Sequence, residues 1–340
     1  MAQKIKWGIV GLGLQATRIA TAINSSRNGT LAAVVSKEAE RAEAFARSFQ
    51  AHASFSSMAD MLHQPDIEAV FIASETHHHT TQTLLACKAG KHVLCEKPFA
   101  LRAKDGEAMI AIAKIGKVYL GVGFHLRFHP AILRLRDIIQ QSVLGTVTLI
   151  EADWSVGKTG EVTLSALPKH MQWRENPKKS GGGALMARGV HLFDLVRFLT
   201  GSEISEVAGI TDTKTAGVVD TLAIGMLRLK NATIVNITTS RRIPCARNEI
   251  IVYGTNGRVR LSGALQPNEK ATLELLLGEK RSLETFESED LYRKEIEQFG
   301  DLLRDGLTGN VATGEDGLAS VRITEAFLKS AKTGVSLSLK

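Results

Sequence analysis

Apolar and polar residues follow two different rhythms along this chain, and the change falls near residue 123. Up to there, short unbroken apolar runs alternate with segments of helical period. IKWGIVG, LAAVVS, EAVFIAS, HVLCEKP and VYLGVGF predict five strands. Between them, residues 14–26 put Ile19, Ala20 and Ile23 on one face, and EAERAEAFARSF repeats Ala42, Phe45, Ala46 and Phe49 at helical spacing. SMADMLHQ predicts a short helix before Pro65, TTQTLLACKAG one ending at Gly90, and 102–115 another. Strands with no polar face, separated by helices, predict a parallel, doubly wound sheet covered on both sides.

Beyond residue 123 the pattern becomes one of half-buried strands. A helix, PAILRLRDIIQQ, precedes the strand-like TVTLIEADWSVG; a glycine-rich break, SGGGALMARG, precedes the helix VHLFDLVRFLTG. From about 204 to 288, EVAGITDT, DTLAIGMLRLK, ATIVNITTSRR, NEIIVYGTNGRVRLSG and ATLELLLG predict a mainly antiparallel sheet, with TNGR as a hairpin turn. Helical segments at 289–305 and 316–332 flank a predicted loop, TGEDGLAS. The expected organisation is therefore α/β plus α+β: residues 1–122, then 123–340, with the last helices packing back on the first domain.

Composition narrows this little. The 340 residues suffice for two ordinary domains, and 44% hydrophobic with 23% charged residues fits a globular chain. The formal charge of +7 is spread out, with KK at 178–179 and RR at 241–242 the densest spots, so no nucleic-acid stripe is expected. Cys87, Cys95 and Cys245 make neither a disulfide framework nor a zinc spacing. The chain enters a strand pattern at once and has no membrane-length apolar stretch, so a cytoplasmic location is expected.

The chemistry begins at the first strand-to-helix turn. Gly11, Gly13 and Ala16 form G-x-G-x-x-A there, so the turn, including Leu14 and Gln15, predicts a dinucleotide pyrophosphate on backbone N–H groups. At the end of the second strand, where an acidic residue would bind a ribose 2′-hydroxyl, stand Ser36, Lys37 and, one turn on, Arg41. A hydroxyl with two cations favours a 2′-phosphate, hence NADP(H), with NAD(H) left open. Lys97, held between Glu96 and Pro98 at a strand end, is a stiffly placed amine or else a plain surface turn. His77, His78 and His79 have no carboxylate or cysteine spaced to complete a site, so no metal is expected. His125 and Arg127 (with His129) share a face if the chain is extended there, at the sheet edge where ligands bind; otherwise they form a polar loop above Phe124 and Phe128.

The GLG turn, ASETHHH, AGKHVLCEKPFAL, SGGGALMARGVHLFD and TGEDG together resemble the glucose–fructose oxidoreductase / inositol dehydrogenase / MocA-type family. Ser36 with Arg41, HLRFHPAILRLRD and QWREN give the nearest likeness to 1,5-anhydrofructose reductase-like members. The resemblance implies a Rossmann domain plus an open-sheet domain for substrate and oligomerisation. It implies hydride transfer with a sugar, polyol or inositol, and a homodimer or homotetramer. It makes Lys97 the holder of the reacting oxygen and His191 the acid/base. Ser74, Thr76, His79, Glu96, Trp173 and Arg174 would serve the cofactor. Asp194 would lie near His191. By their own positions, His125 and Arg127 at the fifth strand's exit, His170 just before the Trp-Arg pair and Arg188 are further candidates for the substrate. One departure stands out: the family usually carries Asp four residues before the histidine, and this chain has Ala187. A substrate group, Arg188 or water could take over from that carboxylate. The other reading is a non-catalytic nucleotide-binding or sensor protein that kept the fold.

Overall fold

The computed structural model describes residues 4–157, 159, 169–213, 215, 217–266 and 269–339, without the side chains of 169 and 170. The chain packs as two compact units. The first runs up to His125 and takes in Asp290–Val321; the second is Leu126–Glu289 with the chain from Arg322 onward.

In the first unit, strands β1 (Ile5–Val10), β2 (Gly29–Val35), β3 (Ala53–Phe55), β4 (Ala69–Ile72), β5 (His92–Cys95) and β6 (Leu120–Val122) form a parallel sheet in the order β6-β5-β4-β1-β2-β3. Its helices are α1 (Leu14–Ser25), α2 (Ala39–Phe49), α3 (Met58–Leu62), α4 (Thr76–Lys88) and α5 (Ala103–Gly116). The continuous apolar runs are buried on both faces: Ile9, Phe71 and Leu94 are fully enclosed. The strand order reverses between β1 and β4, which opens a crevice at their carboxyl ends. Edge strand β3 escaped prediction because it is three residues long and only half-buried. The first turn of α4 was also missed, since THHH has no apolar period; α4 begins at Thr76 rather than Thr80.

The segment TGEDGLAS is not a loop. It opens a 20-residue helix, Gly314–Thr333. Thr313 and Asp316 bond reciprocally: Asp316 N–H donates to Thr313 Oγ1 at 3.2 Å, and Thr313 N–H donates to Asp316 Oδ2 at 2.9 Å. That is a capping box, which starts a helix where glycine and charge had indicated a break. The preceding Ala312–Thr313 pairs antiparallel with β6. The helix Leu291–Asp305 packs on α1 and brings Phe299 to 5.5 Å from the Trp7 ring.

The second unit is built on β7 (Val147–Ser155), β8 (Ile204–Thr211), β9 (Leu222–Leu229), β10 (Ile234–Ser240), β11 (Glu249–Gly254), β12 (Gly257–Ser262), β13 (Ala271–Leu277) and β14 (Lys280–Phe286). The order is β14-β13-β12-β11-β7-β10-β9-β8, closed by Leu337–Ser338. Pairing is antiparallel except between β7 and β10. TNGR makes the predicted β11–β12 hairpin. Strand β9 alternates buried and exposed residues, the signature of a sheet covered on one side. On the covered side lies helix α6 (Pro130–Gln140). Gly209 and Gly225 are register partners on β8 and β9, and the Phe327 ring fills the slot they leave: a Cβ on either would come within 2.6 Å of it.

Candidate active site

In the first unit the glycine turn has the shape of an anion cradle. Gly11 sits at φ +85°, and a Cβ there would come 2.7 Å from the Ser74 backbone, so only glycine fits. Gly13 caps α1 with no side chain, and among the described residues a Cβ on it would meet no neighbouring atom within 4 Å. Ala16 is fully buried, which lets α1 lie close on the sheet. The first turn of α1 carries no acidic residue, so its N–H groups and the positive end of the helix face outward for a pyrophosphate. The donors present thus fit a dinucleotide. Leu14 is exposed and Gln15 half-buried beside them. At the end of β2, Ser36 Oγ accepts from Glu38 N–H at 3.3 Å and Lys37 is exposed. Arg41 donates to the Leu12 carbonyl at 2.6 Å, tying α2 to the glycine turn.

The loops after β4, β5 and β6 line the same carboxyl edge. Thr76 is buried at the start of α4, and Ser74 Oγ donates to the Gln82 side-chain Oε1 at 2.6 Å. His79 is held inside the same group of loops. Its ring is buried, with Nδ1 2.8 Å from the Pro98 carbonyl and Nε2 3.1 Å from that of Ser74. A neutral ring carries one N–H, so it donates to one of these carbonyls while sitting between the two loops. Burial outweighs these carbonyls and pushes its pKa down to about 4. Glu96 is buried and accepts from the Lys97 N–H at 3.0 Å, which fixes the backbone of a half-buried Lys97; the following Lys97–Pro98 bond is cis.

His125 begins a 3-10 turn, His125–Phe128, so the extended, alternating face predicted for this segment does not exist. Its ring stacks on Tyr292 at 4.4 Å, and Tyr292 OH lies 3.4 Å from Arg18 Nη1. Burial, then the charges of Lys97 and Arg18, push His125 down to about 3, so it presents a neutral imidazole. Tyr292 lies far along the chain and carries no motif, so the sequence offered no signal for it. Glu75 supplies the carboxylate that spacing had not given the histidine run: its oxygen is 3.5 Å from His77 Nδ1, and donors of Glu75, His77 and His78 lie within 4.8 Å of one another. The rings of His77 and His78 lie 3.9 Å apart, tilted by 36°.

In the second unit a second glycine-rich turn leads to His191. Asp220 organises it, accepting from Gly183 N–H and Leu185 N–H at 2.7 Å each, while its carbonyl accepts from Ala184 N–H at 3.0 Å. Leu185–Gly189 is a π turn, and helix Val190–Thr200 continues from it. Such turns carry one extra residue and recur at functional sites. Ala187 sits in the middle of it, half-buried, and His191 is one turn on, 2% exposed. The His191 ring lies 5.2 Å from Trp154, and the Arg188 guanidinium lies 5.9 Å from the same ring. Burial, then Arg241 and Arg174, lower Arg188 to about 10. Arg174 is exposed above the half-buried Trp173 ring at 5.5 Å, and Glu175 bonds Arg241 at 2.7 Å. The side chain of His170 lies outside the described residues.

Two expected site residues pair with each other here. Asp194 is fully buried, and both of its oxygens accept from Arg127, at 2.8 and 2.5 Å. Arg127 is thus held in the interior. Its guanidinium is enclosed between Asp194 and the Phe198 ring, 4.9 Å away, as a structural ion pair. His129 likewise accepts from Ala131 N–H and caps α6. Asp220 and Trp154 were missed because nothing in their spacing marks a carboxylate for a distant loop or an indole for a distant histidine.

Known proteins resemble the chain over nearly its full length. The 1,5-anhydro-D-fructose reductase of Ensifer adhaerens is 28% identical, covering 98% of both chains. D-xylose 1-dehydrogenase (NADP(+)) 2 of Haloferax volcanii is 27% identical over 98% of both. The aldose–aldose oxidoreductase of Caulobacter crescentus, solved with glycerol, superposes with a TM-score of 0.88 at 26% identity, covering 99% of this chain and 100% of that one. Residues 5–124 match the model of an oxidoreductase family with an NAD-binding Rossmann fold, and 132–260 match the C-terminal domain of the same group. With its cradle, its EKP turn and both domain matches in hand, the chain belongs to the GFO/IDH/MocA family of oxidoreductases.

Proposed function

We propose that this oxidoreductase moves a hydride between a nicotinamide dinucleotide and a hydroxyl or carbonyl of a sugar, polyol or inositol-like compound. The observation that carries this is the open Gly13 cradle with Lys97 on the same carboxyl edge. The sugar-directed names of the reductase and oxidoreductase relatives support the substrate class. When bound, the nicotinamide accepts or supplies the hydride. Lys97 Nζ donates a hydrogen bond to the reacting oxygen and stabilises charge developing there. In the oxidising direction the alcohol carbon gives up its hydride and the oxygen its proton, which His191 takes on an imidazole nitrogen; reduction returns both. His125, kept neutral by burial, hydrogen-bonds the substrate, and Trp173 with Arg174 serves the cofactor.

Ser36 and Lys37, with Arg41 anchored on Leu12 beside them, favour NADP(H). A charge-assisted contact to a 2′-phosphate is worth about 1.5–3 kcal/mol, or tenfold and more in affinity. Fluorescence titration should find NADPH bound more tightly than NADH, and Ser36→Asp should reverse the order; equal dissociation constants would remove the preference. The exposed apolar residues Ile210, Ile224 and Met226 on β8 and β9 suit a homodimer or homotetramer, which light scattering would detect.

The function itself is tested with Lys97→Met. Turnover of a sugar panel should fall by about 10²–10³-fold with cofactor affinity nearly intact. Lost cofactor binding with normal saturated turnover would reassign Lys97 to the dinucleotide. Cofactor binding without turnover of any sugar or inositol would favour the nucleotide-sensor reading, for which Ala187 is the motivating residue.

A further inference from the structure

The surroundings of His191 in the second unit are cationic where the family pattern would have a carboxylate. Position 187 is alanine, and the next residue is Arg188. Positions 187, 188 and 191 fall on one side of the chain as the π turn passes into the helix, being three and four residues apart. His191 and Arg188 both lie close to the Trp154 ring, at 5.2 and 5.9 Å. Among the described residues no carboxylate forms an ion pair with Arg188. Two further guanidinium groups, those of Arg174 and Arg241, are near enough to disfavour its charge, and Glu175 is already bonded to Arg241. Half-buried arginine kept beside other cations, with no acid assigned to it, is costly unless an anion arrives.

We infer that the substrate is an acidic sugar, one bearing a carboxylate or phosphate, and that Arg188 binds this anion beside His191 in the place where a side-chain carboxylate at 187 would stand. This rests on the oxidoreductase reading above and narrows its substrate class. The guanidinium presents paired N–H donors that match either anion, and a carboxylate at 187 would compete for them. Alanine there leaves Arg188 to the substrate, which then brings its own negative charge to the histidine.

The test uses matched pairs: D-glucuronate against D-glucose and D-galacturonate against D-galactose for a carboxylate, and D-glucose 6-phosphate against D-glucose for a phosphate. The expected result is kcat/KM at least tenfold higher for an acidic member, the two arms showing which anion is used. Arg188→Gln should collapse that ratio mainly through KM, and Arg188→Lys should restore part of it. Ala187→Asp should lower turnover of the acidic member tenfold or more. A neutral member used as well as its acidic partner, or a ratio unchanged in Arg188→Gln, overturns the inference while leaving the oxidoreductase reading intact. If no sugar turns over, quenching of tryptophan fluorescence by glucuronate and glucose 6-phosphate decides: saturable quenching lost in Arg188→Gln upholds the anion site, and its absence in the parent protein overturns it.

Discussion

Gly13 and Gly183 both stand in glycine-rich turns that lead into helices, yet their surroundings are opposite. Among the described residues a Cβ on Gly13 would meet nothing within 4 Å, whereas a Cβ on Gly183 would stand 1.8 Å from the Asp220 carbonyl oxygen. The first glycine leaves room for something other than protein. The second is required by the protein's own backbone, which closes on the loop to aim the π turn and His191. Glycine-rich sequence alone is therefore not a ligand signature; what a side chain would strike separates a cradle from a tether.

Substitutions at the two sites should part company. Gly183→Ala forces backbone apart and breaks the Asp220 bonds, so it should cost at least about 3 kcal/mol in chemical denaturation. A loss under about 1 kcal/mol would mean that the loop yields easily and that the contrast is false.

The tethers themselves can be told apart by acid. In the first unit His79 pins the loops after β4 and β5, and its folded pKa of about 4 lies below the 6.5 of a free imidazole. The unfolded chain therefore binds the extra proton first. The stabilisation from the neutral ring is full above pH 6.5 and is lost as pH falls toward 4, on the order of 3 kcal/mol for this group. Thermal unfolding across that window should show the loss, and His79→Gln should flatten it. An equal slope in the variant would place the acid sensitivity elsewhere, with His125 the next residue to change.

The smallest effect on folding, and the sharpest test of the cradle, is Gly13→Ala. Stability should stay within about 0.5 kcal/mol. Affinity for NADPH should fall about tenfold or more, near 1.4 kcal/mol, because the methyl occupies the space the pyrophosphate needs. Unchanged affinity would show that the turn does not hold the dinucleotide.

Local patterns made much of this legible. Unbroken apolar runs such as EAVFIAS became strands buried on both faces, and the period-2 run of β9 became a half-covered strand. The turn motif and the EKP segment were readable because their chemistry is contiguous in sequence. What escaped depends on groups far apart. Nothing near Arg127 announces that Asp194, 67 positions on, will claim its guanidinium. Tyr292 reaches His125 only through the packing of a late helix. TGEDGLAS was misread because reciprocal capping by Thr313 and Asp316 overrode the weak helix propensity of its glycines. The π turn has no compositional signature, so the phase of Ala187 against His191 came only with the structure.

The slot that Gly209 and Gly225 leave for Phe327 also bears on how the protein is made. During synthesis all of β7 through β14 are made before Phe327 is added. Until then the growing sheet carries a bare notch at neighbouring positions of β8 and β9, lined by exposed backbone. The ring, with Ser330 Oγ accepting from Gly209 N–H at 3.0 Å, seals the notch afterwards, so the second unit completes its core only once this late helix has been made.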